Sequence, residues 1–261
     1  MRLTRRQFTA LLGTPWVSLA TAAAPERLYD KVSSPVGMGF DAQHRLYVAE
    51  WSADRVTRFD ADGGREVVSS GLGGPAGLVV APDNSLYIAS YGDNVVWHIT
   101  SDGKRSQYIR GLATPAGLSF DQEGRLMIAN RETNEILRVE EGKAKSLIEG
   151  LRTPVGVVQT LDMGYVVSNI NGGVTIVRPD GSRLEAGQAF RKPAPGVAST
   201  RDGRVFVVDY GGTTVREILP DGRSRLTVDG LPSPAGLVAS PDGRELYVAT
   251  WGDNAVYRFI P

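Results

Sequence analysis

A small-residue turn ending in glycine and followed by a hydrophobic residue returns six times along this chain, as "SPVGM", "GPAGL", "TPAGL", "TPVGV", "APGV" and "SPAGL". Its glycines are Gly37, Gly77, Gly117, Gly156, Gly196 and Gly236, at spacings of 40, 40, 39, 40 and 40 residues. A fixed period in the range of about 20 to 50 residues means one structural unit that cannot bury its own faces and stacks on copies of itself. Six such units account for nearly everything after residue 34.

Each unit reads as four short strands. A few apolar residues follow the glycine, then a turn such as "DQEGR" or "SPDGR", a β-rich run such as "LYIAS" or "VFVVD", a polar turn, and an alternating run such as "VVWHI" or "ILRVE". A second turn, "DADGG", "TSDGK" or "LPDGR", leads into the fourth strand. Asp-Gly favours tight hairpins because the central positions need positive φ. The unit is therefore a four-stranded antiparallel meander, and six arranged radially bury each other's faces. The expected fold is all-β, a six-bladed β-propeller over residues 25–261, with blades starting near 35, 75, 115, 154, 194 and 234. The last unit ends after its third strand, while "ERLYDKVSSP" resembles the fourth strands elsewhere. Leu28 to Val32 are expected to complete the last blade beside Val256 to Ile260, removing an unpaired edge.

Residues 1–24 stand apart from the repeats. "TRRQFTALLGTPWVSLATAAAP" joins Arg5 and Arg6 to an apolar stretch and then to small residues. It resembles a bacterial twin-arginine export signal, matched by Thr4, Arg5, Arg6 and Phe8. That resemblance implies a periplasmic or secreted protein with no stable membrane span after cleavage. Lysine plus arginine equals aspartate plus glutamate at 29 each. Losing Arg2, Arg5 and Arg6 leaves 26 against 29, and a mildly acidic body with no basic stripe argues against nucleic acid as a partner. With no cysteine, disulfides, a thiolate nucleophile and covalent c-type haem are excluded.

The unit "PAGL…D…G.LYVA…N.V.R" resembles the NHL repeat and, more broadly, the six-bladed group that includes gluconolactonase and regucalcin, together with the streptogramin lyases. The resemblance covers about residues 26 to 261 and implies a propeller; one scaffold of this kind carries many functions. Gluconolactonase-like members hold a divalent metal with acidic and amide side chains beside the glycine turns. Here Val36, Ala76, Ala116, Val155, Pro195 and Ala235 precede the glycines. None offers a side-chain oxygen to a hard cation, so no metal site of that type is expected and no cofactor is predicted, with a divalent metal elsewhere left open. Streptogramin lyases use histidine and glutamate with magnesium. This chain has two histidines, His44 in a hairpin turn at the opposite end and His98 in an outer strand, places where histidine is more often a surface or packing residue.

One position remains. Counting on from each glycine to the end of the second strand gives Glu50, Ser90, Asn130, Asn169, Asp209 and Thr250, followed by Trp51, Tyr91, Arg131, Ile170, Tyr210 and Trp251. Strand connectivity puts these on the face of the glycine turns, around the central mouth. Tyr210, Trp251, Trp51 and Tyr91 belong to blades five, six, one and two, a contiguous arc suited to stacking a ring, a sugar or an apolar chain. Arg131 faces the arc across the mouth. The polar set has two readings. Short polar side chains can tie down the neighbouring turn, or Asn130 and Asn169 can address the ligand while Glu50 and Asp209 serve as an acid/base pair. The function expected is an exported binding or scaffold propeller that takes a small molecule, glycan or peptide on this face. The alternative is a gluconolactonase-like or lyase-like enzyme at the same mouth.

Overall fold

In the computed structural model, which describes residues 24–186 and 189–261, 24 strands form six separate four-stranded sheets. Arg5 and Arg6 lie outside the described residues. Every sheet is antiparallel; five have their strands in chain order and the sixth sets the first strand of the chain beside the last, so the expected meander and blade count are present. The first blade comprises Pro35–Phe40, Leu46–Glu50, Arg55–Phe59 and Arg65–Ser70. The other inner strands are Pro75–Val80, Pro115–Phe120, Pro154–Gln159, Pro193–Ser199 and Pro234–Ala239.

Hydrophobic cores lie between blades, because each sheet is apolar on both faces. Tyr47, Ala49, Val56 and Leu72 of blade one pack on Leu78, Leu86, Ile88 and Ile99 of blade two. The seam between last and first blade is built alike, with Val256 and Ala249 against Met38, Val48 and Phe59. Phe59 and Phe206 are almost fully buried, each contributing roughly 1.5 to 3 kcal/mol by leaving water.

The repeated glycines correct one expectation. They lie within the inner strands rather than in turns, and none has the left-handed backbone that turns require. The pairing of first and second strands slips at this point in all six blades. An ideal Cβ on Gly77 would sit 2.3 Å from the Ala116 carbonyl oxygen, and one on Gly236 1.7 Å from that of Val36. The period is thus a close-approach requirement, backbone of one inner strand against backbone of the next. The left-handed position is the residue before the inner-strand proline: φ is 47° at Ser34, 50° at Thr114, 59° at Thr153 and 50° at Ser233.

Closure occurs as expected in kind and differs in register. Glu26–Tyr29 pairs antiparallel with Ala255–Phe259, Glu26 opposite Arg258 and Tyr29 opposite Val256. The strand therefore starts before Leu28 and ends well before Val32. Lys31, at φ 59°, turns the chain out of the sheet. Val32 then becomes fully buried, its N–H donating to the Asn254 carbonyl at 2.9 Å.

Asn254 belongs to a series that the sequence reading left unassigned. Asp54, Asn94, Asn134 and Asn254 all take left-handed φ in the turn between second and third strands. Their side-chain oxygens accept from the next blade's entry loop: Asp54 from Leu72 and Gly74, Asn94 from Thr114, Asn134 from Thr153, Asn254 from Ser34. Asn and Asp tolerate this conformation and present an acceptor, which is the signal that would have marked them.

Candidate functional site

Five of the six mouth residues, all but Tyr210, are fixed through their backbone. Trp51, Tyr91, Arg131, Ile170 and Trp251 donate their N–H to the carbonyls of Ser34, Gly74, Thr114, Thr153 and Ser233, the residues just before the inner-strand prolines. The left-handed turn there aims that carbonyl at the mouth. Strand alternation then sends the preceding side chain the opposite way.

The polar set is accordingly buried and engaged. Glu50 accepts from the Ser33 N–H at 2.7 Å, Asn130 from Ala113 at 2.8 Å and Asn169 from Arg152 at 3.3 Å. Asp209 accepts from the backbone N–H groups of Arg191 and Lys192 at 3.0 and 2.7 Å. These side chains hold the loop that enters their own blade. The shorter Ser90 donates to the Gly73 carbonyl of its entry loop at 3.2 Å and accepts from the Asp93 N–H, while Thr250 donates to the Ala255 carbonyl. Glu50 further receives Arg55 at 2.8 and 3.2 Å and the Thr57 hydroxyl. Neither Glu50 nor Asp209, Asn130 nor Asn169 lines the mouth.

Burial pushes the Glu50 carboxyl up, but hydrogen bonds from Arg55, Thr57 and the Ser33 N–H together hold it below its usual value of 4.5. A carboxyl held low in the native state contributes stability that is present above the unfolded value and lost as pH falls through the folded one. Glu50→Gln should therefore melt lower than the wild type at pH 7, with the gap closing below pH 4.5. Asp41 and Glu217 are held low against their own burial by Arg45 and by Arg204 and Arg225, so the wild type keeps an acid-dependent limb from those two. A gap between Glu50→Gln and wild-type melting curves that is the same at pH 7 and pH 3.5 would show that no ionised Glu50 stabilises the fold.

The mouth itself is aromatic. Ring centroids lie 4.8 Å apart for Trp51 and Tyr91, 6.2 Å for Trp51 and Trp251, and 5.4 Å for Trp251 and Tyr210, with edge-on or tilted planes. The structure thus joins the four rings expected on blades five, six, one and two into a continuous wall. Arg131 sits at the end of the arc rather than across the mouth from it: its guanidinium carbon lies 5.5 Å from the Tyr91 centroid, and its Nη1 donates to the Tyr91 hydroxyl. The Trp251 indole N–H donates to the Pro35 carbonyl at 3.0 Å, fixing that ring across the seam. Ile170 completes the wall. The floor is Val36, Ala76, Ala116, Val155, Pro195 and Ala235, and the bowl encloses about 240 Å³.

The floor residues offer no side-chain oxygen, so the metal implied by the gluconolactonase resemblance does not fit there. Among the described residues no group of three or more His, Asp or Glu is placed to hold a metal. His44 is exposed at φ 62° in its hairpin turn, and His98 stacks on Tyr87 at 4.7 Å. Neither lines the bowl.

The chain matches no protein-family model, and no curated protein sequence matches it significantly. Solved structures share its fold. A gluconolactonase from Xanthomonas campestris superposes with TM-score 0.80 at 18% identity over 90% of this chain and 88% of that one. A catalytically inactive virginiamycin B lyase from Staphylococcus aureus, with quinupristin, gives 0.69 at 16% over 90% and 83%. A PQQ-bound aldose sugar dehydrogenase from Streptomyces coelicolor gives 0.73 at 16% over 92% and 98%. At such identities the likeness is one of architecture. The three proteins carry different chemistries, so the decision among functions rests on the bowl.

Proposed function

We propose that this propeller binds a small molecule in the aromatic bowl, as an exported protein if residues 1–24 act as the twin-arginine leader they resemble. The observation that carries this reading is the continuous wall of Tyr210, Trp251, Trp51 and Tyr91 over an apolar floor. Structural aromatics bury their faces in a core; these four remain partly exposed around an open cavity. Large rings with polar edges suit recognition of flat or apolar ligand surfaces. A volume of about 240 Å³ lies just below the range of roughly 300 to 1,000 Å³ of small-molecule pockets, favouring a compact ligand over an extended glycan or peptide.

The enzymatic alternative draws on the gluconolactonase and lyase neighbours. It needs an acid or base beside the substrate. Among the described residues lining the bowl, the titratable side chains are Tyr91, Tyr210 and Arg131, while the candidate carboxylates Glu50 and Asp209 hold loops. That arrangement supports binding over hydrolysis.

Trp51→Ala tests the reading. A bowl residue that stacks on ligand is worth on the order of 1 to 3 kcal/mol. Binding of a compact aromatic found by calorimetric screening should therefore weaken roughly ten- to a hundredfold. The melting temperature should barely change. A lower melting temperature with undiminished affinity would make the wall structural and remove the basis for the proposal.

A further inference from the structure

We infer that the bowl selects an anion: a compact ligand with one or two flat rings that carries a carboxylate, the rings lying on Trp51 and Trp251 and the charge reaching Arg131. The inference rests on the proposed binding role and adds the chemical class.

Charge around the mouth is unevenly distributed. Of the carboxylates that chain order places there, Glu50 and Asp209 are buried and bonded to backbone N–H groups and Asp54 accepts from Leu72 and Gly74, while Asp93 and Glu132 are exposed on their turns and do not line the bowl. Asp253 is held by Arg27 and Tyr257. Arg131, by contrast, lines the bowl and has no salt-bridge partner among the described residues. Its Nε is buried without a hydrogen-bond acceptor, and its one named partner is the neutral Tyr91 hydroxyl. A guanidinium beside an apolar floor, with donors unfilled, is matched by a carboxylate, since charge-assisted bonds are the stronger ones.

The same sign extends along the rim. Arg152, Arg191 and Lys192 sit on the loops entering blades four and five and are exposed, and their side chains make no salt bridge among the described residues, Asp209 being bonded to the backbone N–H groups of Arg191 and Lys192. Local sequence makes room for them. A Cβ on Gly172 would lie 2.6 Å from the Arg152 stem, and one on Gly211 2.7 Å from Lys192 Cβ. Glycine at those turns lets them lie close against the cationic loops. The cations sit on blades three to five, and the aromatic arc overlaps them at Tyr210 on blade five. Such a field raises the local concentration of anions and orients a ligand with one charged end.

The test uses a matched pair of probes, 2-naphthoate and 2-naphthamide, titrated calorimetrically into the wild-type protein at low and at physiological salt. The carboxylate should bind at least about tenfold more tightly than the amide, with a preference that shrinks as salt rises. Arg131→Gln should bring the two affinities to within about twofold of one another; Arg131→Lys should keep part of the preference. Equal wild-type affinities for acid and amide would overturn the anion inference and leave the aromatic bowl standing as a binding site. Failure of both probes to bind, or binding unaffected by Trp51→Ala, would count against the binding role and the inference together. The wild-type comparison needs no variant to fold, and melting curves of both Arg131 variants show whether their affinities refer to an intact ring.

Discussion

Gly236→Ala should leave the protein unable to close its ring. The added methyl would meet the Val36 carbonyl oxygen at 1.7 Å, and the Ala249 Cβ at 3.1 Å on its other side. The first obstacle is backbone of the neighbouring inner strand, so no rotamer change relieves it. Ordinary overpacking costs about 1 to 3 kcal/mol, and a backbone clash at a seam joining the two ends of the chain should exceed that range. Against a total stability of about 5 to 15 kcal/mol, this means a melting temperature lower by roughly 10 °C or more, or no folded protein. Gly63→Asn is the control: that glycine has φ 88° with nothing within 4 Å of a built Cβ, and Asn accepts left-handed backbone. A Gly236→Ala variant melting within about 2 °C of the wild type would show that the glycine period does not set inner-strand spacing.

A chain that begins at Ser34 should melt at a markedly lower temperature and self-associate. It lacks the strand Glu26–Tyr29, and with it the backbone pairing along Ala255–Phe259. It also loses Tyr29, its ring tilted against Phe59 at 4.4 Å, the Arg27 contact with Asp253 at 2.9 Å, and the buried Val32. What remains at the end of the ring is "AVYRF", an open edge of β-prone residues that will pair with another copy. Light scattering and calorimetry should show oligomers and a transition lowered by more than about 10 °C. Adding a peptide of residues 24–33 in excess should reverse both, because the strand binds only the folded ring. A monomer with an unaltered transition would mean that the N-terminal strand is an appendage and not the closure.

Much of this was legible in the sequence because repetition is a global constraint. The glycine spacing specified six blades, the Asp-Gly turns specified hairpins, and the identity of the mouth aromatics followed from chain order. What escaped was local geometry. The glycines looked like turn residues, and only the neighbouring blade's backbone at Ala116 or Val36 explains them. The closing strand was placed too late because Val32 reads as a strand residue, whereas Lys31 leaves the sheet in a conformation rare for lysine. Counting along the repeat placed Glu50, Asn130, Asn169 and Asp209 at the correct height but could not say which way they point. Period-two alternation, applied together with Trp51 facing the cavity, would have turned them inward.

The indole of Trp251 touches the Pro35 carbonyl, a contact between residues from opposite ends of the folded chain. Trp251 and its neighbour Trp51 thus stand on the two sides of the junction where the circle is fastened. Anything seated on both rings at once acts as a clasp across that junction, engaging only molecules whose circle is fastened. Occupancy and durability are then linked quantities: at a hundred times its dissociation constant such a ligand adds about 2.7 kcal/mol of resistance to unfolding. The fastening strand and the bowl, apart in sequence, become two clasps on one joint.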